Sequence, residues 1–170
     1  MSCCNCICPR ARRNVGPTGP RGPVGPTGPT GPAGVLPIEP VADFYNIQDS
    51  VVAQNAAVAL TDNVNLTTSN VSHAAGSSDV GLITTGYYLI SFDGDVTSTT
   101  GENVTLKVNA NGSSIPQSVS TGTVEANGTA HLSSSFIYDN TVQNLILTLV
   151  NGSNGQVTVN NVNFVVRKLD

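Results

Sequence analysis

At 170 residues the chain is about one domain's worth of protein, yet only 11% of it is charged, 5% is aromatic and Trp is absent. Its 39% hydrophobic content is enough for a core where it is concentrated, which excludes a chain disordered throughout. The net charge of −4 is unevenly spread: residues 1–34 carry Arg10, Arg12, Arg13 and Arg21 with no acid, whereas residues 35–170 set three bases against eleven acids, so the bulk of the chain lacks the basic face of a nucleic-acid binder.

No stretch approaches the roughly 20 apolar residues of a membrane span. The N-terminus shows no apolar core of a secretory signal, so export by that route is not expected. Residues 1–15 form a cysteine-rich tail in which Cys3, Cys4, Cys6 and Cys8 are the only cysteines of the chain. They cannot staple the rest of the chain to itself, because no second half-cystine lies there. A zinc site ordinarily takes two separated ligand pairs, a spacing that Cys-Cys-Asn-Cys-Ile-Cys lacks, so no metal is predicted. Lipidation would want an adjoining apolar segment, and none is present. Intermolecular disulfides fit an exposed thiol cluster beside Arg10, Arg12 and Arg13, whose charge favours thiolate. An unstructured tail with idle thiols is the remaining alternative.

Residues 16–34 carry the most specific signal. Glycine stands at Gly16, Gly19, Gly22, Gly25, Gly28, Gly31 and Gly34, and proline fills the position after each of the first six. Three polyproline-II strands wind together only where every third residue has no side chain, because a Cβ does not fit at the axis. Proline presets φ and lowers the entropy cost of ordering. A plain Pro/Gly linker has no reason to keep a three-residue phase, so a collagen-like triple-helical stem is predicted, and with it three chains. At about 3.1 Å per residue the stem is no longer than roughly 60 Å, too short to hold three chains alone. A trimerising domain must set its register. Thr18, Thr27 and Thr30 point outward from such a rod, as polar stem residues or as carriers of O-linked sugar.

After a linker at 35–40, residues 41–170 read as all-β. Tyr88, Ile90 and Phe92 alternate with Leu89, Ser91 and Asp93, and Val104, Leu106 and Val108 with Thr105, Lys107 and Asn109. Asn144–Val150, Gln156–Val159 and Val162–Val166 follow the same period of two, which marks strands. Asn111-Gly112, Asn127-Gly128, Asn151-Gly152 and Asn154-Gly155 are expected in tight turns of positive φ, and Pro116 at a strand edge or in a loop. Val51–Leu60, with its small residues, is expected as a strand. Eight to ten short strands in this length predict a two-sheet jelly-roll sandwich whose core rests mainly on Val, Leu, Ile and Ala, with part of its apolar surface covered by other protomers.

Little in this part points to catalysis. His73 and His131 lie in no nucleophile or metal motif, and no G-x-S-x-G elbow is present. Asp93 and Asp95 flank Gly94 in what reads as an exposed hairpin turn, with hard-cation binding as the sharper alternative. Asn65, Asn70, Asn103, Asn111, Asn127 and Asn151 open N-x-S/T triplets of the kind that a chain rich in Asn, Ser and Thr produces by chance.

The cysteine-rich head, the GPT-type triplets and a β domain containing Ile83–Val96 (ITTGYYLISFDGDV) together resemble the collagen-like spore-surface proteins of spore-forming bacteria, which build the hair-like nap of the exosporium. Their C-terminal domains are similar to the trimeric jelly rolls of the complement-globular-head and tumour-necrosis-factor group, whose G-x-Y-x-I/F-S/T pattern matches here at Gly86, Tyr88, Ile90 and Ser91. The resemblance implies a non-enzymatic structural protein without cofactor: a homotrimeric fibre at the spore surface with an outward β tip. It implies exosporium, coat or appendage proteins as partners of Cys3, Cys4, Cys6 and Cys8 through disulfide cross-links, and a glycoprotein stem where the threonines are modified. Layers assembled inside the mother cell need no export signal, and thiols there would oxidise once the layer is exposed. Two departures stand out: the stem has only six complete triplets, and the apolar leader of some relatives is absent. The alternative function is adhesion, with the jelly-roll head, including loops such as Ser98–Glu102, binding a host receptor or glycan as a phage fibre tip does. A hydrolase on a β scaffold is the third, without a convergent catalytic set to support it.

Overall fold

The computed structural model describes residues 14–28, 41–66 and 69–169. Cys3, Cys4, Cys6 and Cys8, together with Thr30, Gly31, Gly34 and the linker 35–40, lie outside the described residues. The chain divides into two compact units, Met1–Leu36 and Pro37–Asp170. In the first, residues 14–28 form neither helix nor strand and are exposed throughout. A Cβ built on Gly16, Gly19, Gly22, Gly25 or Gly28 meets nothing within 4 Å.

The second unit is all-β, with twelve strands among the described residues: β1 (Val41–Asn46), β2 (Ser50–Val52), β3 (Asp62–Leu66), β4 (Val71–His73), β5 (Val80–Leu82), β6 (Gly86–Thr97), β7 (Glu102–Ala110), β8 (Ser113–Ser114), β9 (Ser120–Val124), β10 (Thr129–Asn140), β11 (Leu145–Asn151) and β12 (Val157–Lys168). The number exceeds the expected eight to ten because β2, β4, β5 and β8 are only two or three residues long. One sheet runs β10-β6-β12-β1-β3 with β2 also on β12; the other runs β4-β5-β11-β7-β8 with β9 also on β7. Every pairing is antiparallel. Two such sheets face to face, joined by crossovers between non-neighbouring strands, are the jelly-roll sandwich the alternating pattern predicts.

The core lies between the sheets and is more aromatic than the composition suggests. All four phenylalanines and Tyr88 are buried, each on the β6 sheet. Phe44 on β1 pairs with Phe164 on β12, which pairs with Phe92 on β6, a row of three rings across neighbouring strands. Leu82, Leu106, Leu147 and Leu149 close the core from the other sheet. Each such side chain contributes about 1.5–3 kcal/mol on leaving water. Tyr88 also brings a polar atom into the core, and its hydroxyl is satisfied by donating to the Thr84 carbonyl at 2.9 Å.

Three sequence expectations need correction. The Asp93-Gly94-Asp95 segment is no turn: it lies inside β6, where Gly94 faces the core and a Cβ there would sit 3.2 Å from Val162 Cγ2. The glycine is needed because β12 bulges toward it between Asn160 and Asn163, with Asn161 at φ 48°. The expected strand Val51–Leu60 ends at Val52. Asn55 turns the chain at φ 59°, and the rest is pinned along β11 by scattered bonds such as Val58 N–H to the Leu149 carbonyl at 2.8 Å. Of the four Asn-Gly pairs, Asn111-Gly112 makes the two-residue hairpin between β7 and β8 with φ of 46° and 81°, and Asn127 has φ 61°. Asn151 instead ends β11 fully buried, its amide donating to the carbonyls of Val52, Ala53 and Gly155. Pro116 opens a single 3-10 turn, Pro116–Ser118.

Candidate functional site

The β sandwich presents two outer faces. On the β7 sheet the outward positions are polar and satisfy one another: Thr105 and Thr121 hydroxyls stand 3.1 Å apart, and Thr123 donates to Asn103 at 2.8 Å. On the β6 sheet the register places three rows across β10, β6, β12 and β1. The first is Ile137, Leu89, Arg167 and Val41; the second Ser135, Ser91, Val165 and Asp43; the third Ser133, Asp93, Asn163 and Tyr45. Ile137 is 62% exposed, Tyr87 52% and Leu169 44%, so an apolar patch spans the end of this face where β1 begins. Water contact with such a patch is unfavourable, and apolar patches of this kind mark interaction surfaces.

Polar groups within this face are incompletely satisfied. Among the described residues of this face, Asp43 Oδ1 and Asn163 Oδ1 are shielded from solvent and accept no hydrogen bond, and Arg167 Nε is likewise shielded without a hydrogen-bond partner, although Arg167 has another interaction. Burial pushes the Asp43 carboxyl above the ordinary range, and the neighbouring Asp93 carboxylate raises it further. A raised carboxyl opposes the folded charged form at neutral pH, an opposition that fades as the pH falls through the raised value. Asp95 behaves oppositely. The Asn161 amide, donating at 2.9 Å, and His131, at 2.9 Å, hold its carboxyl below the ordinary range. Its contribution to stability is present above the ordinary carboxylate range and lost in acid; because the pair is exposed, that contribution is small.

The candidate residues named from sequence fall in different places. Thr18 and Thr27 are exposed on the described part of the stem, whereas Thr30 and the four cysteines lie outside the described residues. His73 sits against the Phe44 ring, centroids 4.6 Å apart, with its nitrogens 2.6 Å from Asn63 Oδ1 and 3.1 Å from the Ser77 carbonyl, and so serves packing. His131 is on β10, far along the chain from His73, with Asp95 as an ionic partner. Among the described residues no three His, Cys, Asp or Glu side chains are grouped to hold a metal ion, and no helix is long and apolar enough to cross a membrane. Ser98, expected in a contact loop, is fully buried and structural: its Oγ donates to Glu102 Oε1 at 2.6 Å, and its carbonyl accepts from Asn127 N–H. Beside it lies an open hollow of about 520 Å³ lined by Thr97, Thr100, Glu102, Gln156 and Thr158. Because Thr97 pairs with Thr158 and Val41 with Arg167, this hollow is at the end of the long strands opposite Val41.

Sequence reasoning does not single out Asp43, Ile137 or Tyr45. Period-two alternation separates the two faces of a strand, but it does not tell a face turned to solvent from one turned to a partner.

No protein-family model matches the chain and no curated protein matches it. Solved structures do share its fold. The tumour-necrosis-factor protein Eiger of S. frugiperda superposes with a TM-score of 0.64 at 11% identity, covering 78% of this chain and 93% of that one. The globular domain of zebrafish complement 1qA protein gives 0.59 at 9% identity over 78% and 98%, and murine APRIL 0.59 at 12% over 77% and 99%. Identities this low carry the architecture alone: residues 41–169 form a jelly roll of the kind seen in complement and tumour-necrosis-factor heads.

Proposed function

We propose that the chain is a non-enzymatic structural protein of the bacterial spore surface. Three copies are joined by a collagen-like stem, their jelly-roll heads associate, and Cys3, Cys4, Cys6 and Cys8 cross-link the tails to exosporium, coat or appendage proteins. The observation that carries the reading is the unbroken glycine phase from Gly16 to Gly34 in one chain with a jelly-roll head. The glycine phase calls for three chains, and the head offers a face for self-association: the row Ile137, Leu89, Arg167 and Val41, with exposed Tyr87 and Leu169 beside it. Holding three heads on one stem gives them a high effective concentration for each other, so a face of modest area suffices. Thin-section electron microscopy of spores lacking the protein tests the location. The expected result is a thinned or missing surface nap or appendage tip; an unaltered surface would contradict it.

A second reading, adhesion, is favoured by the hollow at Thr97, Glu102, Gln156 and Thr158. Hydroxyls, an amide and one carboxylate at the end of the strands opposite Val41 suit the hydroxyl groups of a neutral glycan. The two roles are compatible in one fibre.

A further inference from the structure

The face that suits self-association also carries groups that oppose it. Asp43 on β1 lies opposite Val165 of β12, and Asp93 on β6 lies opposite Asn163 of the same strand, so the two carboxyls flank β12 on its outer side. Asp43 Oδ1 is already shielded from water within one protomer and accepts no hydrogen bond from a described residue. Covering this face with another copy removes the remaining water from a carboxylate pair. Taking a carboxylate out of water favours its neutral form, and a second carboxylate across β12 adds to that preference.

The other charged and titratable groups around Asp43 are mostly acidic. β12 presents Arg167, one row away and with its own interaction in the protomer, and Lys168 beyond it. On β3, Asp62 lies opposite Tyr45 and adds a further negative charge. β6 adds Asp93 and Asp95. On β10, at the sheet edge, His131 is committed to Asp95, and Asp139 lies opposite Tyr87.

We propose that head assembly is proton-linked: the Asp43 carboxyl takes up a proton as the outer face of the β6 sheet is covered by the next copy, so the trimer tightens as the pH falls from neutral. The inference rests on the self-association reading and adds its control. The linkage has a definite sign. A group that binds its proton more tightly in the assembly than in the free head favours assembly below its assembled pKa and penalises it above. The upward push on Asp43 by burial and by Asp93 within one protomer is in the same direction. Each proton taken up changes the association constant about tenfold per pH unit, and a trimer takes up three.

The test is sedimentation equilibrium of the full chain, reduced and in chelating buffer, at about pH 7.5 and about pH 5, because uptake of a proton on assembly favours the trimer toward the acid side. The concentration at half-assembly is expected to fall at least about tenfold between the two. Asp43→Asn is expected to hold the low value at both pH values, and Asp93→Asn to weaken the dependence; the second variant carries the test if the first does not fold. His131→Gln and Asp79→Asn, the latter an acid of the loop before β5 in the other sheet, are expected to keep the wild-type dependence. A trimer indifferent to pH overturns the inference and leaves self-association standing. A dependence removed equally by Asp79→Asn assigns the effect to net charge and also overturns it. Single chains at every pH overturn the assembly reading itself.

Discussion

Gly22→Ala is expected to abolish the cooperative melting of the stem, followed by circular dichroism, while the head keeps its own transition. In a single chain the new methyl group costs nothing, because a Cβ at Gly22 meets no atom within 4 Å. Only where three backbones meet is it obstructed. Forcing one methyl group into filled space costs about 1–3 kcal/mol, and all three chains carry it, so the penalty is tripled. A stem with six complete triplets has no reserve to absorb that. Pro23→Ala, which leaves the glycine phase intact, is expected to lower the transition without removing it. The pair separates a requirement for no side chain from a general preference for proline and glycine. Equal melting of Gly22→Ala and the parent stem would show that the glycines are not at an axis.

The head gives the second large effect. Ile137→Asp is expected to raise the half-assembly concentration at least about hundredfold, with the thermal stability of the single head nearly unchanged. At 62% exposure Ile137 contributes little to the fold of one protomer, and surface changes of this kind usually stay within about ±0.5 kcal/mol. In the assembly the same position would bury a charge beside Leu89, two strands from Arg167, and an unpaired buried charge costs about 3–5 kcal/mol. Thr123→Asp on the outer face of the β7 sheet serves as the comparison and is expected to leave assembly unchanged. If both variants dissociate the trimer alike, the interface is not the outer face of the β6 sheet.

The residues that sequence alone places correctly are those whose pattern has one physical meaning. Tyr88, Ile90 and Phe92 alternate because β6 has a dry side, and Asn111-Gly112 turns because both residues take positive φ. Errors arise where one residue type serves two purposes. Gly94 reads as turn chemistry but is the gap that admits Val162; the Asn160–Asn161 pair reads as a break between two strands but is a bulge inside β12. Strand β10 is hard to see in the sequence because Leu132 and Phe136, its buried apolar positions, stand four residues apart with serines between them. Asp43 is hidden for a different reason. Its character comes from Asp93, fifty positions along the chain, and from β12 between them, a neighbourhood that only the folded sheet creates.

Stem and head each lack what the other provides. A nineteen-residue stem does not align three chains unaided, and the head's patch of Ile137, Tyr87 and Leu169 does not by itself require a third copy. In the proposed fibre the periodic glycines would set the number of chains and the heads their register. If the cysteines attach an assembly already formed, as proposed, reduction is expected to free the fibre from its attachment and leave the three chains together.

The mass of the full chain in solution under reducing conditions is therefore the most direct measurement. The account predicts a species of three chains that persists without disulfides near neutral or mildly acidic pH. A reduced protein that sediments as one 17.5 kDa chain across that range would contradict it.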